Sequence, residues 1–264
     1  MARRLGQLEA AALAYVQMRN VRTVKMGEMA TALHITAKQE RELLSRMARS
    51  RLIVNVRKGL YLFPARLPLG GVWTPEEAVA INTLMADKQA RYQITGLCAF
   101  NRYGYDEQVP SRITVYNNAL SGERTIGRTN LTLVKVGDAR LGDTERITTS
   151  DGETLIYSSR ARTLVDAVYD WSRFDSLPRA YDWIRRDVDA GRVTLNDLAK
   201  STTRYGNMGT IRRMGVLLEQ MSAGECILRR LQRALMPSSA KIPFLPTRPT
   251  RGNLLKRWGV VLNA

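Results

Sequence analysis

The chain has 264 residues, 41 Lys and Arg against 24 Asp and Glu, and a formal net charge of +17. That length allows one large domain or two ordinary ones, and 44% hydrophobic with 25% charged residues excludes a disordered tail. No apolar run reaches the roughly 18 residues of a membrane span, no signal-peptide pattern follows the basic start, and Cys98 and Cys226 are too few for a disulfide framework or a zinc site.

A reducing cytoplasm is therefore the expected compartment, and a polyanion, most simply nucleic acid, the expected partner. The charge is unevenly placed. Residues 1–66 hold 13 basic and 4 acidic side chains, a net of +9. Residues 67–223 hold 20 and 19, and residues 224–264 hold 8 and 1, a net of +7. Two basic ends around a balanced middle imply two jobs, or two parts of one binding face. Arg outnumbers Lys, which suits bidentate phosphate contacts; a GC-rich genome produces the same bias.

Leu5, Leu8, Ala12, Tyr15 and Val16 recur at helical spacing and predict an amphipathic helix over residues 5–18. Met26, Met29, Ala30 and Leu33 predict a short second helix, followed by the turn His34-Ile35-Thr36. Thr36-x-x-Gln39 is a capping box, and it opens a third helix that runs to about Ser50. At about 100° per residue its buried side is Ala37, Leu43, Leu44, Met47 and Ala48. Its outer side carries Lys38, Gln39, Glu42, Ser45, Arg46 and Arg49. Residues 52–56 and 60–63 predict a β-hairpin around the basic turn Arg57-Lys58-Gly59.

Three helices and a hairpin read as a winged helix-turn-helix, whose third helix fits the DNA major groove while the hairpin tip lies beside the backbone. In that reading Lys38 and Gln39 reach base edges, Gln39 by a bidentate bond to adenine. Arg46, Arg49, Arg57 and Lys58 hold phosphates, and Arg3 and Arg4 form an arm into a neighbouring groove. The alternative is a protein-interaction module with solvated charges. Glu42 either accepts from a cytosine amine or pairs with Arg46 four residues on, the latter preferred. His34, the only histidine, is read as structural.

Pro64, Pro68, Gly70 and Gly71 mark a break, giving a first domain at 1–65, a linker at 66–73 and a second domain at 74–264. Thr74-Pro75-Glu76-Glu77 predicts a helix over about 74–87, with Thr74 as its cap. A helix over about 95–103 follows, then strands at 112–116, 131–136 and 153–157. Ser159 caps a helix over about 160–170, and further helices are expected at about 177–190, 194–202, 208–222 and 224–236. A proline-containing loop leads to a last strand at 258–263. Strands grouped before helices make the class α+β.

One histidine excludes Ser-His-Asp and H-E-x-x-H chemistry, and there is no G-x-x-x-x-G-K-[ST] loop and no G-x-G-x-x-G after a strand. Asp187-Val188-Asp189 resembles a metal-binding carboxylate pair but sits in a helical pattern ending at Gly191, and reads as a solvated helix end. A metal-dependent nuclease would need Asp151 with Glu153, or Asp166 with Glu219; its usual Glu-x-Lys partner is absent. The expectation is no enzyme, no catalytic residue, no metal and no cofactor. A ligand-sensing winged-helix transcription factor is the other alternative.

The order of motifs carries a resemblance. After Lys58-Gly59-Leu60-Tyr61 come Ile94 to Gly104, Gln108-Val109-Pro110, Arg160-Ala161-Arg162-Thr163-Leu164-Val165-Asp166, Arg213-Met214-Gly215-Val216-Leu217-Leu218-Glu219 and Arg257-Trp258 to Asn263. The set resembles the AbiEi antitoxin family over essentially the whole chain. The resemblance implies a bacterial toxin–antitoxin pair of the abortive-infection type. Its antitoxin binds inverted repeats of double-stranded DNA at its own promoter through the N-terminal winged helix and represses the operon. Its C-terminal domain counteracts a nucleotidyltransferase-like toxin, often without a stable complex.

Arg162, Asp166, Arg213, Gly215, Glu219, Trp258 and Asn263 match recurring positions of that family. Arg162, Asp166, Arg213 and Glu219 are read as an internal ion network in preference to a site, and Gly215 as a close helix crossing. The basic tail, Arg229, Arg230, Arg233, Lys241, Arg248, Arg251, Lys256 and Arg257, is the candidate for antitoxicity or a second interaction surface. A preformed dimer and two monomers binding cooperatively both fit an inverted repeat.

Overall fold

The computed structural model describes residues 5–67 and 71–263. The N-terminal part holds α1 (Gln7–Met18), β1 (Thr23–Lys25), α2 (Glu28–Ala32), α3 (Ala37–Arg49), β2 (Val54–Arg57), β3 (Leu60–Leu62) and α4 (Glu77–Asp87). The middle holds β4 (Tyr92–Thr95), α5 (Leu97–Arg102), β5 (Ile113–Asn117), β6 (Gly122–Ile126), β7 (Thr129–Lys135), β8 (Thr144–Thr148) and β9 (Thr154–Ser158). Then come α6 (Arg160–Tyr169), α7 (Trp171–Phe174), α8 (Arg179–Asp189), α9 (Leu195–Tyr205), α10 (Met208–Gln220) and α11 (Glu225–Arg233). β10 (Ile242–Pro243), β11 (Asn253–Leu255) and β12 (Val260–Leu262) complete the run. The class is α+β, as the sequence implies.

The chain divides into two compact units. The first takes residues up to Arg91 together with 119–133 and 148–155, and the second takes the remainder. The division does not fall at 66–73: α4 and the hairpin of β6 and β7 belong largely with the N-terminal elements.

In the first unit, α1 turns Ala12, Leu13 and Val16 inward and α3 turns Leu43, Leu44 and Met47 inward, where they meet Val24, Met29, Leu52, Ile53, Tyr61 and Phe63. Each of the large fully buried side chains contributes about 1.5–3 kcal/mol by leaving water. The sheet has β3 in the middle, with antiparallel partners β1 and β2 (Val24↔Tyr61, Asn55↔Tyr61) and a bulge between Asn55 and Arg57. β1 escapes a pattern search because only Val24 of its three residues is buried, too short a run for alternation.

The inner face of α3 departs from expectation at two positions: Ala37 is exposed, and Glu40 is fully buried. The Glu40 carboxylate accepts from the backbone N–H groups of Gly27 (2.8 Å), Met29 (3.0 Å) and Ala30 (3.3 Å). Helix α2 has no side-chain cap of its own, so a carboxylate from α3 satisfies its unpaired N-terminal donors. The two helices are thereby locked at a fixed angle.

Helix α4 begins later than expected, with Glu76 and not Thr74 at its N-cap. Two contacts hold the preceding segment extended. Trp73 N–H donates to the Arg51 carbonyl at 2.8 Å, and Thr74 and Pro75 pack over Gly127, where a Cβ would be crowded at 3.0 Å.

In the second unit the strand order is β5-β4-β9-β8, with β4 antiparallel to β5 and parallel to β9 (Ile94↔Tyr157). All four residues of β4 are buried, so this strand lacks the alternation by which strands are found in sequence. The core beyond the sheet joins Phe100, Leu164, Val168, Trp183, Ile184, Leu198, Met214 and Leu218. A small second sheet, β10-β12-β11, brings Trp258 onto α10. A Cβ at Gly215 would stand 2.3 Å from the indole ring, so Gly215 is small to seat Trp258 and not to allow a helix crossing. Asn263 fastens the preceding loop: its Oδ1 accepts from Leu245 N–H at 2.9 Å, and its Nδ2 donates to the carbonyls of Leu245, Arg248 and Pro249.

Candidate functional site

The outer face of α3 is exposed at Lys38, Gln39, Arg41, Glu42, Ser45, Arg46 and Arg49. Arg41 was not assigned to that face from sequence; it enters because the buried side is centred on Leu43, Met47 and Glu40. Three residues have more to do than the sequence reading allowed. Gln39 Oε1 accepts from Thr36 N–H at 2.8 Å, closing the capping box, so its carbonyl is not free for a bidentate bond to adenine. Arg46 Nε lies 3.2 Å from Oε1 of the buried Glu9, so Arg46 pairs across to α1 and not with Glu42.

Arg57 grips Asp87 with both arms, at 2.6 and 2.5 Å, and also donates to the Lys58 carbonyl at 2.7 Å. The hydrogen bond from Arg57 holds the Asp87 carboxyl below the usual range. Arg57 therefore anchors the hairpin to α4 instead of standing free for a phosphate, while Lys58 at the tip is exposed. His34 is exposed and adopts a left-handed conformation, φ 51°, in the turn between α2 and α3. Arg3 and Arg4 lie outside the described residues.

The four C-terminal polar residues do not form one network. Arg162 and Asp166 are both fully buried and paired at 2.9 Å; Arg140 adds a second guanidinium at 2.8 Å, and Thr95 Oγ1 donates to the other carboxylate oxygen at 3.2 Å. Glu219 belongs to a separate cluster, accepting from Arg257 at 2.9 Å and from the Trp258 indole at 2.7 Å. Arg213 stands apart again. It donates to the Pro243 carbonyl at 3.1 Å, and burial lowers its pKa. The Asp166 and Glu219 carboxylates of the nuclease alternative are thus each already held by arginine. Asp151 hydrogen-bonds Glu76 and raises that carboxyl, and Glu153 holds Arg22 at 3.2 Å. Among the described residues no group of three or more His, Cys, Asp or Glu is placed to hold a metal.

The basic tail is only partly a surface. Arg257 binds Glu219, Glu225 and Gln232, Arg229 pairs with Glu225, and Arg230 donates to Asn196 at 2.7 Å. Arg233, Lys241, Arg248, Arg251 and Lys256 are exposed. Asp187 corrects the sequence reading most sharply. It is fully buried, not solvated, and takes a hydrogen bond from Tyr105, with Arg160 at 3.0 Å and Arg192 at 3.2 Å. Asp189, two residues on, is exposed. Beside Arg160 and Arg192 the second unit opens a cavity of about 460 Å³, with α9 along its wall.

A family model described as a family of unknown function (DUF6088) matches residues 14–149, just over half of the chain. The chain belongs to the DUF6088 family. This DUF6088 protein is also similar to the crystal structure of the RV2827C protein from Mycobacterium tuberculosis, at 15% identity over 98% of this chain and 92% of that one, with a TM-score of 0.55. At that identity the likeness is one of fold. No curated protein matches the sequence. Among the described residues of the DUF6088 chain, no helix is long and apolar enough to cross a membrane.

Proposed function

We propose that this DUF6088 protein is a sequence-specific DNA-binding repressor that acts at inverted repeats in its own promoter, and that it serves as the antitoxin of a toxin–antitoxin pair. The observation that carries the DNA part is the outer face of α3. Lys38, Arg41 and Arg49 are exposed there, on a helix whose opposite face is seated by Glu40 and three apolar residues. The order α1-β1-α2-α3-β2-β3, with β3 between its partners, supports reading this part as a winged helix, a fold that presents such a helix to the major groove. Lys58 sits at the hairpin tip, where a wing meets the backbone. The antitoxin part rests on the resemblance to the AbiEi family.

In this reading Lys38 reads base edges, Arg41, Arg49 and Lys58 hold phosphates, and Gln39 contributes its amide donor alone. Arg46 and Arg57 keep the helix and the wing in position. The test is fluorescence anisotropy of the full chain on its own promoter duplex. Four to six neutralised phosphates per protomer give a log–log salt slope of about −4 to −5. Equal affinity for promoter and scrambled duplex would remove the repressor reading. Co-expression with the adjacent open reading frame tests the second part: the frame is expected to be toxic alone and harmless beside this chain.

A further inference from the structure

The second unit contains a cavity that the DNA reading does not use. Its volume of about 460 Å³ is that of a small-molecule site. Ser201 of α9 lines it, is 3% exposed, and has no hydrogen-bond partner for its Oγ. A buried hydroxyl left in that state is unfavourable, and a ligand oxygen in the cavity would satisfy it. The ten-residue helix α6 starts at the same cavity. The Ser159 hydroxyl already serves the Arg162 N–H at 3.1 Å, which leaves the donors of Arg160 and Ala161 at the positive end of the helix. Lys200 and Arg204, one turn apart on α9, are exposed into solvent and also line the cavity. Acceptors come from Glu145 and from Asp143, whose Oδ1 already takes the Ser159 hydroxyl at 2.7 Å.

These groups divide by chemistry. A helix start, two unpaired cations and an orphan hydroxyl suit a phosphoryl group. Two carboxylates suit hydroxyl or amine donors elsewhere on the same molecule. We propose that this cavity binds a small phosphorylated metabolite bearing such donors, of the size of a nucleoside monophosphate. Its phosphoryl group lies at the first turn of α6, facing Lys200, Arg204 and the Ser201 hydroxyl, and its donors face Glu145. The proposal does not depend on DNA binding.

The experiment is isothermal titration calorimetry of the full chain with inorganic phosphate and with each of the four ribonucleoside monophosphates. At least one nucleotide is expected to bind saturably, with a Kd below about 1 mM. The double variant K200A/R204A is expected to weaken it about tenfold or more. The charge-matched double variant R229A/R233A, on α11, leaves it unchanged. Glu145→Gln lowers nucleotide affinity and spares inorganic phosphate, and Ser201→Ala weakens both several-fold. Thermal melts establish that each variant is folded. Absence of saturable binding overturns the proposal, as does equal loss in both double variants, which would mark attraction to bulk charge. Promoter binding measured on the same preparations keeps failure of this site distinct from failure of the DNA reading.

Discussion

Arg49 on α3 and Arg162 on α6 carry the same guanidinium into opposite surroundings. Arg49 is exposed on a helix face and forms no ion pair among the described residues; Arg162 is fully buried, with Asp166, two backbone carbonyls and the ring of Tyr205 around it. The two units repeat this contrast. In the first, the cations of α3 point outward while the structural ion pairs, Arg46–Glu9 and Arg57–Asp87, lie at its flanks. In the second, arginine is largely a building material: Arg140, Arg160, Arg162, Arg213 and Arg257 each bond a carboxylate or a carbonyl of the protein. Net charge alone therefore says little about where a polyanion binds. Burial and partners decide which cations are available.

The sharpest way to break this contrast is to strip a buried pair. Asp166→Ala leaves Arg162 and Arg140 facing a void, and is expected to cost about 3–5 kcal/mol in urea unfolding of the full chain. If the loss is under about 1 kcal/mol, the second unit does not rely on its internal charges. Gly215→Ala comes next. Its Cβ would enter the Trp258 ring, and overpacking of this kind costs about 1–3 kcal/mol, read as a lower Tm.

Asp87→Asn should cost about 1–2 kcal/mol, because Arg57 is partly exposed and its loss of a partner is softened by water. The pair also has a pH signature. Asp87 is depressed in the folded state, so its contribution is complete above the ordinary carboxylate pKa of about 4 and fades as pH falls through the folded value. The Asn variant should lack that acid-side decline, which stability measured against pH will show.

Gln39→Ala removes the acceptor of the capping box and should cost about 1 kcal/mol, with relaxed sequence preference in a binding-site selection. Lys38→Ala and Arg49→Ala sharpen the contrast from the other side. Each should change stability by less than about 0.5 kcal/mol. Arg49→Ala should also reduce the salt slope of promoter binding by about one.

Much of the first unit was legible in the sequence, since α3 follows a clear apolar spacing and the hairpin turn is basic and glycine-containing; in α1 the expected stripe holds at Ala12 and Val16, while Leu5 and Leu8 are exposed. The start of α3 at Ala37 was legible because Thr36 and Gln39 announce a cap, and its end at Arg49 lies one residue short of the expected Ser50. Less legible was everything that depends on contact across the chain. Glu40 sits on the buried side of α3 in the helical projection, but its worth as a cap for α2 comes from donors ten or more residues away. β4 hides because both of its faces are covered, and Asp187 because a carboxylate near a helix end reads as solvated until Tyr105 and two arginines are found around it. Of the candidate nucleic-acid face, Lys38 and Arg49 are exposed on α3 and Lys58 is exposed at the hairpin tip. Gln39, Arg46 and Arg57 were assigned to DNA because composition shows a donor and does not show that the donor is already engaged.

The carboxylate of Glu40 sets the seat of α3 from the inside of the helix, and this separates two kinds of mutation. Changes at Lys38, Arg41, Ser45 or Arg49 alter the outline offered to a duplex without touching the seat. If α3 is the DNA-reading helix proposed above, such a surface can drift toward a new operator while the fold stays intact. Gln39 and Arg46 are held back from that drift, because each also secures a helix. The face of α3 is thus divided into positions free to vary and positions that are not, and a library restricted to the former changes the surface of the helix without loosening its seat.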